Sequence, residues 1–541
     1  MVNPLESNLH SRRQALKLLG ASVVAVPAFG GLLAACSTTP TSETSSTAAP
    51  TAGQSTPAET ATLGAQEQLE LTASEAVAAL ANGRLAAVEY TTTLLDRADQ
   101  LTDLRAIITL DRDGALAEAA RIDAARQAGT PLGALAGLPI IVKDNFDTKN
   151  LPTTGATPAL ENFRPTTDAA LLVPLLAADA IILGKANMQE LAFGITTTNF
   201  APFAGIAKNP YDQSRVPGGS SGGTGISIAA RIVPAGLGTD TGGSVRVPAS
   251  FNGIAGLRPS TGGPQHRYSS AGILPISHTL DTPGTLGRTV ADLALLDSVL
   301  TGTPLVEPAT LAGLRIGVPA VLWSGLEGAV SDVANAAKQQ LATAGVVLVD
   351  VDMPDALTLA DKVIFPLALH EPITDIPDYL NANGATGVTL ESIAAQIANP
   401  DVQKSFAAVL TDAQGPAYPD AINIYRPQLQ KLYADYFTAN SVDAIMFPTS
   451  PVLPAHIDDV NGSSTISVDG GPPVDTFGTT IRNMGPGSCA GVPSLSIPAG
   501  LTTTGLPVGM SVEGPIDNDR EVLAIGMALE TVLKPVSAPP V

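Results

Sequence analysis

The chain has 541 residues, of which 45% are hydrophobic but only 4% aromatic, so a large core can form and must be mostly Ala, Val, Leu and Ile. A net charge of −21 argues against a nucleic-acid partner and against electrostatic attachment to anionic lipid. Two cysteines (Cys36 and Cys489) do not make a disulfide framework, and the five histidines (His10, His266, His278, His370, His456) show no metal-ligand spacing, so neither a metal nor a cofactor is expected.

Residues 1–35 read as an export signal. Ser11-Arg12-Arg13 precedes an apolar run from Leu18 to Ala35, and the paired arginines point to the twin-arginine route, which carries folded proteins. The run ends Leu33-Ala34-Ala35-Cys36, which resembles the lipobox of bacterial lipoproteins and makes Cys36 the lipidation candidate. A spanning helix is the competing reading, but the run is short and contains Gly20, Pro27, Gly30 and Gly31. Residues 36–64 are Ser, Thr, Ala and Pro with almost no large apolar side chain. Such a segment cannot offset its ordering entropy and reads as a tether in the cell envelope. The membrane is then expected as a partner only through the lipid on Cys36.

From Glu67 to about Gly129 the pattern is helical, opened by a capping box at Thr72 and Glu75. Leu138–Val142 reads as a buried strand. Leu171–Ala178 reads as a helix and Ala180–Leu183 as a second strand. Further strands are expected at Ile232–Leu237, Leu314–Val318, Val346–Val351, Ala444–Phe447, Leu495–Pro498 and Val508–Val512, with helices such as Val330–Ala344 and Arg520–Leu533 between them. Short apolar strands alternating with helices indicate an α/β fold: one large domain over 65–541, with a mixed central sheet flanked by helices on both faces. The stretch 355–436 is mostly helical and reads as an insertion that covers a pocket.

Three segments carry chemistry. Lys143 ends the first apolar strand, so its stem is expected to be buried; desolvation lowers an amine pKa and frees a base. Ser220 and Ser221 lie within Gly218-Gly-Ser-Ser-Gly-Gly223. Ser244 follows Asp240-Thr241-Gly242-Gly243, where glycines let backbone N–H groups converge on one point, as a developing oxyanion requires. Taken singly, each has an ordinary reading: a surface lysine, a glycine-rich turn, a plain GGS turn. Ser220 also fits G-x-S-x-G, but Asn209–Pro217 reads as loop and supplies no strand for a nucleophile elbow.

Together, in this order, the segments resemble the amidase signature family. The likeness lies in Val216–Phe251, with the two serines 24 positions apart (244 − 220), and in Lys143 within Pro-Ile-Ile-Val-Lys-Asp-Asn. It extends to Leu183-Gly-Lys-Ala-Asn187, Asn252–Pro259, Leu280–Gly284 with Arg288 and Asp292, Gly491-Val-Pro, and Leu506–Gly509. The resemblance implies a Ser-cisSer-Lys triad of Ser244, Ser220 and Lys143, with a cis peptide before Ser220. It also implies an oxyanion hole of the N–H groups of Thr241, Gly242, Gly243 and Ser244, and supporting roles for Ser221 and Asp240.

The activity this resemblance implies is hydrolysis of a small-molecule amide, or of a carbamate or ester by the same steps. Met188–Asn199 looks most like members acting on aryl-acetamides such as mandelamide or indoleacetamide, and by that likeness Phe193 and Ile195 line an acyl pocket; both also fit plain core positions. The rival from another class is a solute-binding lipoprotein, which has no need of Lys143, Ser220 and Ser244 together.

Overall fold

Apolar segments of three to eight residues build most of one eleven-stranded sheet. The structure, a computed structural model, describes residues 63–541 except Gln265. The predicted export segment 1–35, Cys36 and all but the end of the predicted tether lie outside the described residues. At that end Leu63 packs against the core and Gly64 caps a helix over Ala65–Glu70.

In chain order the strands are β1 (Ile107–Leu110), β2 (Pro139–Lys143), β3 (Ile181–Ala186), β4 (Ala235–Asp240), β5 (Ala255–Arg258), β6 (Thr282–Gly287), β7 (Arg315–Gly317), β8 (Val347–Val349), β9 (Ala444–Pro448), β10 (Thr465–Ser467), β11 (Pro473–Asp475), β12 (Ser494–Leu501) and β13 (Pro507–Glu513). The large sheet runs β1-β3-β2-β4-β6-β5-β12-β13-β9-β7-β8, and β10 pairs with β11 alone. β3, β2 and β4 are parallel, as are β8, β7 and β9; the centre from β4 through β6, β5, β12 and β13 to β9 is antiparallel. The sheet is therefore mixed, as expected.

Strand alternation separates two covered faces. Leu495 and Ile497 of β12 enter an apolar cluster with Leu293, Ala337 and Leu529, from the helices Val290–Thr301, Gly328–Thr343 and Asp519–Leu533. Ser494, the residue before Leu495, instead meets Arg246 of the helix Arg246–Phe251, at 3.3 Å.

Three strands of the large sheet are not evident from local sequence, nor is the separate pair β10 and β11. β1 interrupts the stretch that reads as helical, because Ile107-Ile-Thr-Leu pairs antiparallel with β3 at the sheet edge. β5 (Ala-Gly-Leu-Arg) and β6 (Thr-Pro-Gly-Thr-Leu-Gly) lack the branched apolar residues that mark strands, and only their pairing defines them. β4 also begins three residues later than expected and runs on to Asp240, taking in the start of the Gly-Thr-Asp segment. Its small residues have a steric reason. A Cβ on Gly236 would lie 2.7 Å from the Ile141 carbonyl oxygen, and one on Gly238 would lie 2.6 Å from Ser221 Oγ. The stretch 355–436 is helical as predicted, with helices at Ala356–Asp361, Ile364–His370, Pro372–Ala382, Leu390–Ala394, Pro400–Leu410 and Arg426–Asn440.

Candidate active site

Lys143 is the last residue of β2 and Thr239 the next to last of β4, so parallel neighbours bring their side chains together. Lys143 Nζ lies 2.7 Å from Ser220 Oγ and 2.6 Å from Thr239 Oγ1, with no solvent reaching the lysine. Burial pushes its amine from 10.5 down to about 7, against the opposing pull of Asp281 and Asp240.

Ser220 sits just before the helix Gly222–Ala229, and the Gly219–Ser220 peptide is cis. The preceding residues form loop with a single isolated bridge at Arg215, so there is no strand-to-helix elbow at Ser220. Ser221 occupies the N-cap position of that helix. Its hydroxyl donates to the Thr239 carbonyl at 3.2 Å and receives the Thr239 N–H at 3.3 Å, fastening the serine segment to β4. The Ser221 N–H donates to the Ser244 carbonyl oxygen at 3.1 Å, which ties the two serine segments together.

Ser244 lies between β4 and the helix Arg246–Phe251. Its hydroxyl faces a cavity and takes no hydrogen bond from the described residues. Asp240 shapes the turn that presents it: the carboxylate receives the Gly243 N–H at 2.9 Å and the Val245 N–H at 3.1 Å. The backbone N–H groups of Thr241, Gly242 and Ser244 have no acceptor among the described residues. Of the four N–H groups expected around an oxyanion, Gly243 alone is already committed.

Burial works against charge on Asp240. The guanidinium groups of Arg246 (two contacts at 3.0 Å) and Arg258 (3.1 Å) overcome it and hold the carboxyl well below the usual range. All three side chains are fully buried. Glu513 of β13 stands 3.7 Å from Arg246 and accepts from Tyr433 at 3.0 Å, with burial pushing its carboxyl up to about 7.

The cavity holds about 560 Å³. Ser244, Thr241 and Gly242 line it, as do Phe193 and Ile195, with Phe193 set edge-on to Phe406 at 5.6 Å between centroids. Ile364, Phe365 and Lys404 of the 355–436 stretch complete it together with Phe477. Elsewhere His278, Glu371 and Asp375 place possible ligand atoms within 4.8 Å of one another. Their contacts describe an ion pair instead. His278 Nδ1 lies 3.0 Å from Asp375, and Glu371 already accepts from Ser277, Thr279 and Tyr418.

The structure thus gathers Lys143, Ser220, Ser221, Asp240, Thr241, Gly242, Gly243 and Ser244 around one end of the cavity, with Phe193 and Ile195 along its wall. Sequence reasoning missed Thr239, Asn145 and Asp281, and gave no role to Arg246, Arg258 or Glu513. Thr239 and Asn145 lie inside the very segments singled out, so the signal was there in part: polar side chains at the ends of two adjacent buried strands.

The sequence profile of the Amidase family matches residues 89–523. The mandelamide hydrolase of Pseudomonas putida is 38% identical over 479 residues, covering 86% of this chain and 92% of that protein. The indoleacetamide hydrolase of Rhizobium radiobacter is 38% identical over 450 residues, covering 82% and 93%. Among solved structures, a crystal structure of an amidase superposes with a TM-score of 0.74 at 31% identity, covering 86% of this chain and all of that one. The peptide amidase of Stenotrophomonas maltophilia superposes with a TM-score of 0.72 at 28% identity, covering 87% and 98%. With a family profile spanning most of its length and relatives of this identity, the chain belongs to the Amidase family and is an amide hydrolase.

Proposed function

We propose that Ser244 is the nucleophile of a two-step hydrolysis of small aryl or acyl amides. The observation that carries this reading is the 2.7 Å contact between a fully buried amine, held near neutrality, and the Ser220 hydroxyl. Neutral Lys143 accepts the Ser220 proton while Ser220 takes the proton of Ser244, whose Oγ bonds to the carbonyl carbon. The carbonyl oxygen becomes an oxyanion within reach of the Thr241, Gly242 and Ser244 N–H groups; the Gly243 N–H joins by sharing its bond to Asp240. Ser220 then gives a proton to the leaving nitrogen, the C–N bond breaks, and Lys143 returns its proton to Ser220. Water repeats the sequence on the acyl-enzyme, releasing the acid and restoring Ser244. Ser221 and Asp240 hold the two serine segments in place.

A wall of Phe193, Ile195, Ile364, Phe365 and Phe477 suits an apolar acyl group, in keeping with the mandelamide and indoleacetamide hydrolases among the relatives. The helical stretch 355–436 shapes that wall.

The test is Ser244→Ala. It is expected to abolish amine release from a panel of anilides and primary aryl amides. Rapid quench of the parent protein with a slow substrate should give a mass shift on the peptide that holds Ser244. Amine release by Ser244→Ala at the parent rate would refute the assignment, and faster turnover of carbamates or esters than of any amide would move the substrate class.

We further propose that the catalytic domain is exported and held in the cell envelope by a lipid on Cys36. Support comes from Arg12-Arg13, the apolar run to Ala35 and the Leu-Ala-Ala-Cys ending. Cys36→Ala is expected to move activity from the membrane fraction to the soluble fraction; unchanged partition would sink the anchor.

A further inference from the structure

A neutral amine has a single lone pair, and catalysis by Lys143 requires that pair to face Ser220. Two donors meet at Thr239 Oγ1: Lys143 Nζ at 2.6 Å and Asn145 Nδ2 at 3.1 Å. The Asn145 amide is oriented independently, because the same nitrogen also faces the Leu274 carbonyl at 3.4 Å. An amide nitrogen can only donate, so it occupies one acceptor site of the threonine oxygen. The second acceptor site is left for an N–H of Lys143. The threonine's own hydrogen is then free for the separate cavity of about 880 Å³ that Thr239 lines. Solvent touches Thr239 at 7% but reaches neither Lys143 nor Ser220, so of the three residues only the threonine is open to water. The threonine is itself held in place, since Ser221 grips both its N–H and its carbonyl.

We infer that Asn145 and Thr239 are positioning residues that clamp one N–H of Lys143, so that the lone pair of the neutral amine is left pointing at Ser220. The pair acts through the lysine and touches no reacting atom. Without the threonine hydroxyl the amine turns freely, and in much of its range the lone pair misses Ser220. The ammonium form also loses an acceptor, so the lysine releases its proton at lower pH. Asp240 and Asp281 are the charged groups that bear on Lys143, from β4 and from the turn before β6; neither changes in this substitution.

This inference rests on Lys143 serving as the base. The test is the pH–rate profile of Thr239→Val, which preserves shape, beside Thr239→Ser, which restores the hydroxyl, and Lys143→Ala. Thr239→Val is expected to lower the plateau kcat about 10- to 100-fold, a partial loss of the ~10²–10⁴ that a positioned base supplies. Its acid limb should move to lower pH and its KM should stay near the parent value, while Thr239→Ser recovers both plateau and limb. Should Thr239→Val fail to fold, Asn145→Ala reads the same coupling. It frees the threonine hydrogen to compete for the lone pair, and the plateau falls. A parent-like plateau and limb in Thr239→Val, or no recovery in Thr239→Ser, would overturn the inference while a dead Lys143→Ala leaves the base reading standing. An active Lys143→Ala would instead overturn the base reading, and the inference with it.

Discussion

The Lys143 amine nitrogen lies 2.7 Å from the Ser220 hydroxyl oxygen in a place that solvent does not reach. The same burial that makes the amine usable as a base opposes folding, because the unfolded chain holds that proton up to pH 10.5 and the folded chain releases it near 7. Activity and stability should therefore respond to this side chain in opposite directions.

The first expectation concerns pH. The acid limb of kcat/KM should fall near pH 7, where Lys143 becomes protonated, and a rate independent of pH between 6 and 8 would contradict it. Between about 7 and 10.5 the unfolded state binds one more proton than the folded state, so stability from this group rises with pH, by at most about 1.4 kcal/mol per pH unit. Lys143→Met should be inactive yet melt higher than the parent at pH 7.5, with the gain shrinking as pH approaches 10.5. Thermal melts across that range measure both.

Asp240→Asn tests the turn that carries Ser244. The substitution leaves Arg246 and Arg258 buried without their shared counter-charge and weakens the acceptors of the Gly243 and Val245 N–H groups. Breaking a buried pair in this way costs about 3–5 kcal/mol. Urea unfolding should show that loss along with loss of turnover; stability within about 1 kcal/mol of the parent would show that the cluster is not anchoring the turn.

Gly223 tests how tightly the serine segment is packed. A Cβ there would come within 2.3 Å of the Ala106 carbonyl oxygen and 2.4 Å of the Asn187 N and O. These are backbone atoms, so relief requires the helix Gly222–Ala229 to move. Gly223→Ala should destabilise by ~1–3 kcal/mol and lower kcat by displacing Ser220. A parent-like melting temperature would mean that the helix yields without cost.

Phe193 separates packing from recognition. It is 9% exposed, lines the cavity and meets Phe406. Phe193→Ala should cost ~3 kcal/mol of stability and raise KM for aryl amides more than for small aliphatic ones. Equal KM changes for both classes would make Phe193 a packing residue only.

Much of the site is legible in the sequence because its signals are local. An apolar strand that ends in Lys143 and glycines that bracket Ser220 and precede Ser244 are written into short runs of residues. The parts that are not legible depend on remote stretches of the chain. Arg258 is on β5 and Glu513 on β13, and nothing near either of them announces that it joins Asp240 and Arg246 in a buried charge cluster. β5 and β6 are hidden for the same reason, since their small and polar residues become strands only when flanked by neighbours on both sides.

The order of lysine, paired serines and nucleophile-bearing turn, and the apolar strands that carry them, were determined by the sequence itself, because strand ends and glycine turns depend on residues a few positions apart. How far the amine lies from water, which hydroxyl its lone pair faces, and which arginines neutralise Asp240 were decided only by tertiary structure. Desolvation and hydrogen-bond direction depend on everything packed around a group, and here the partner of Lys143 on β4 lies 96 positions along the chain.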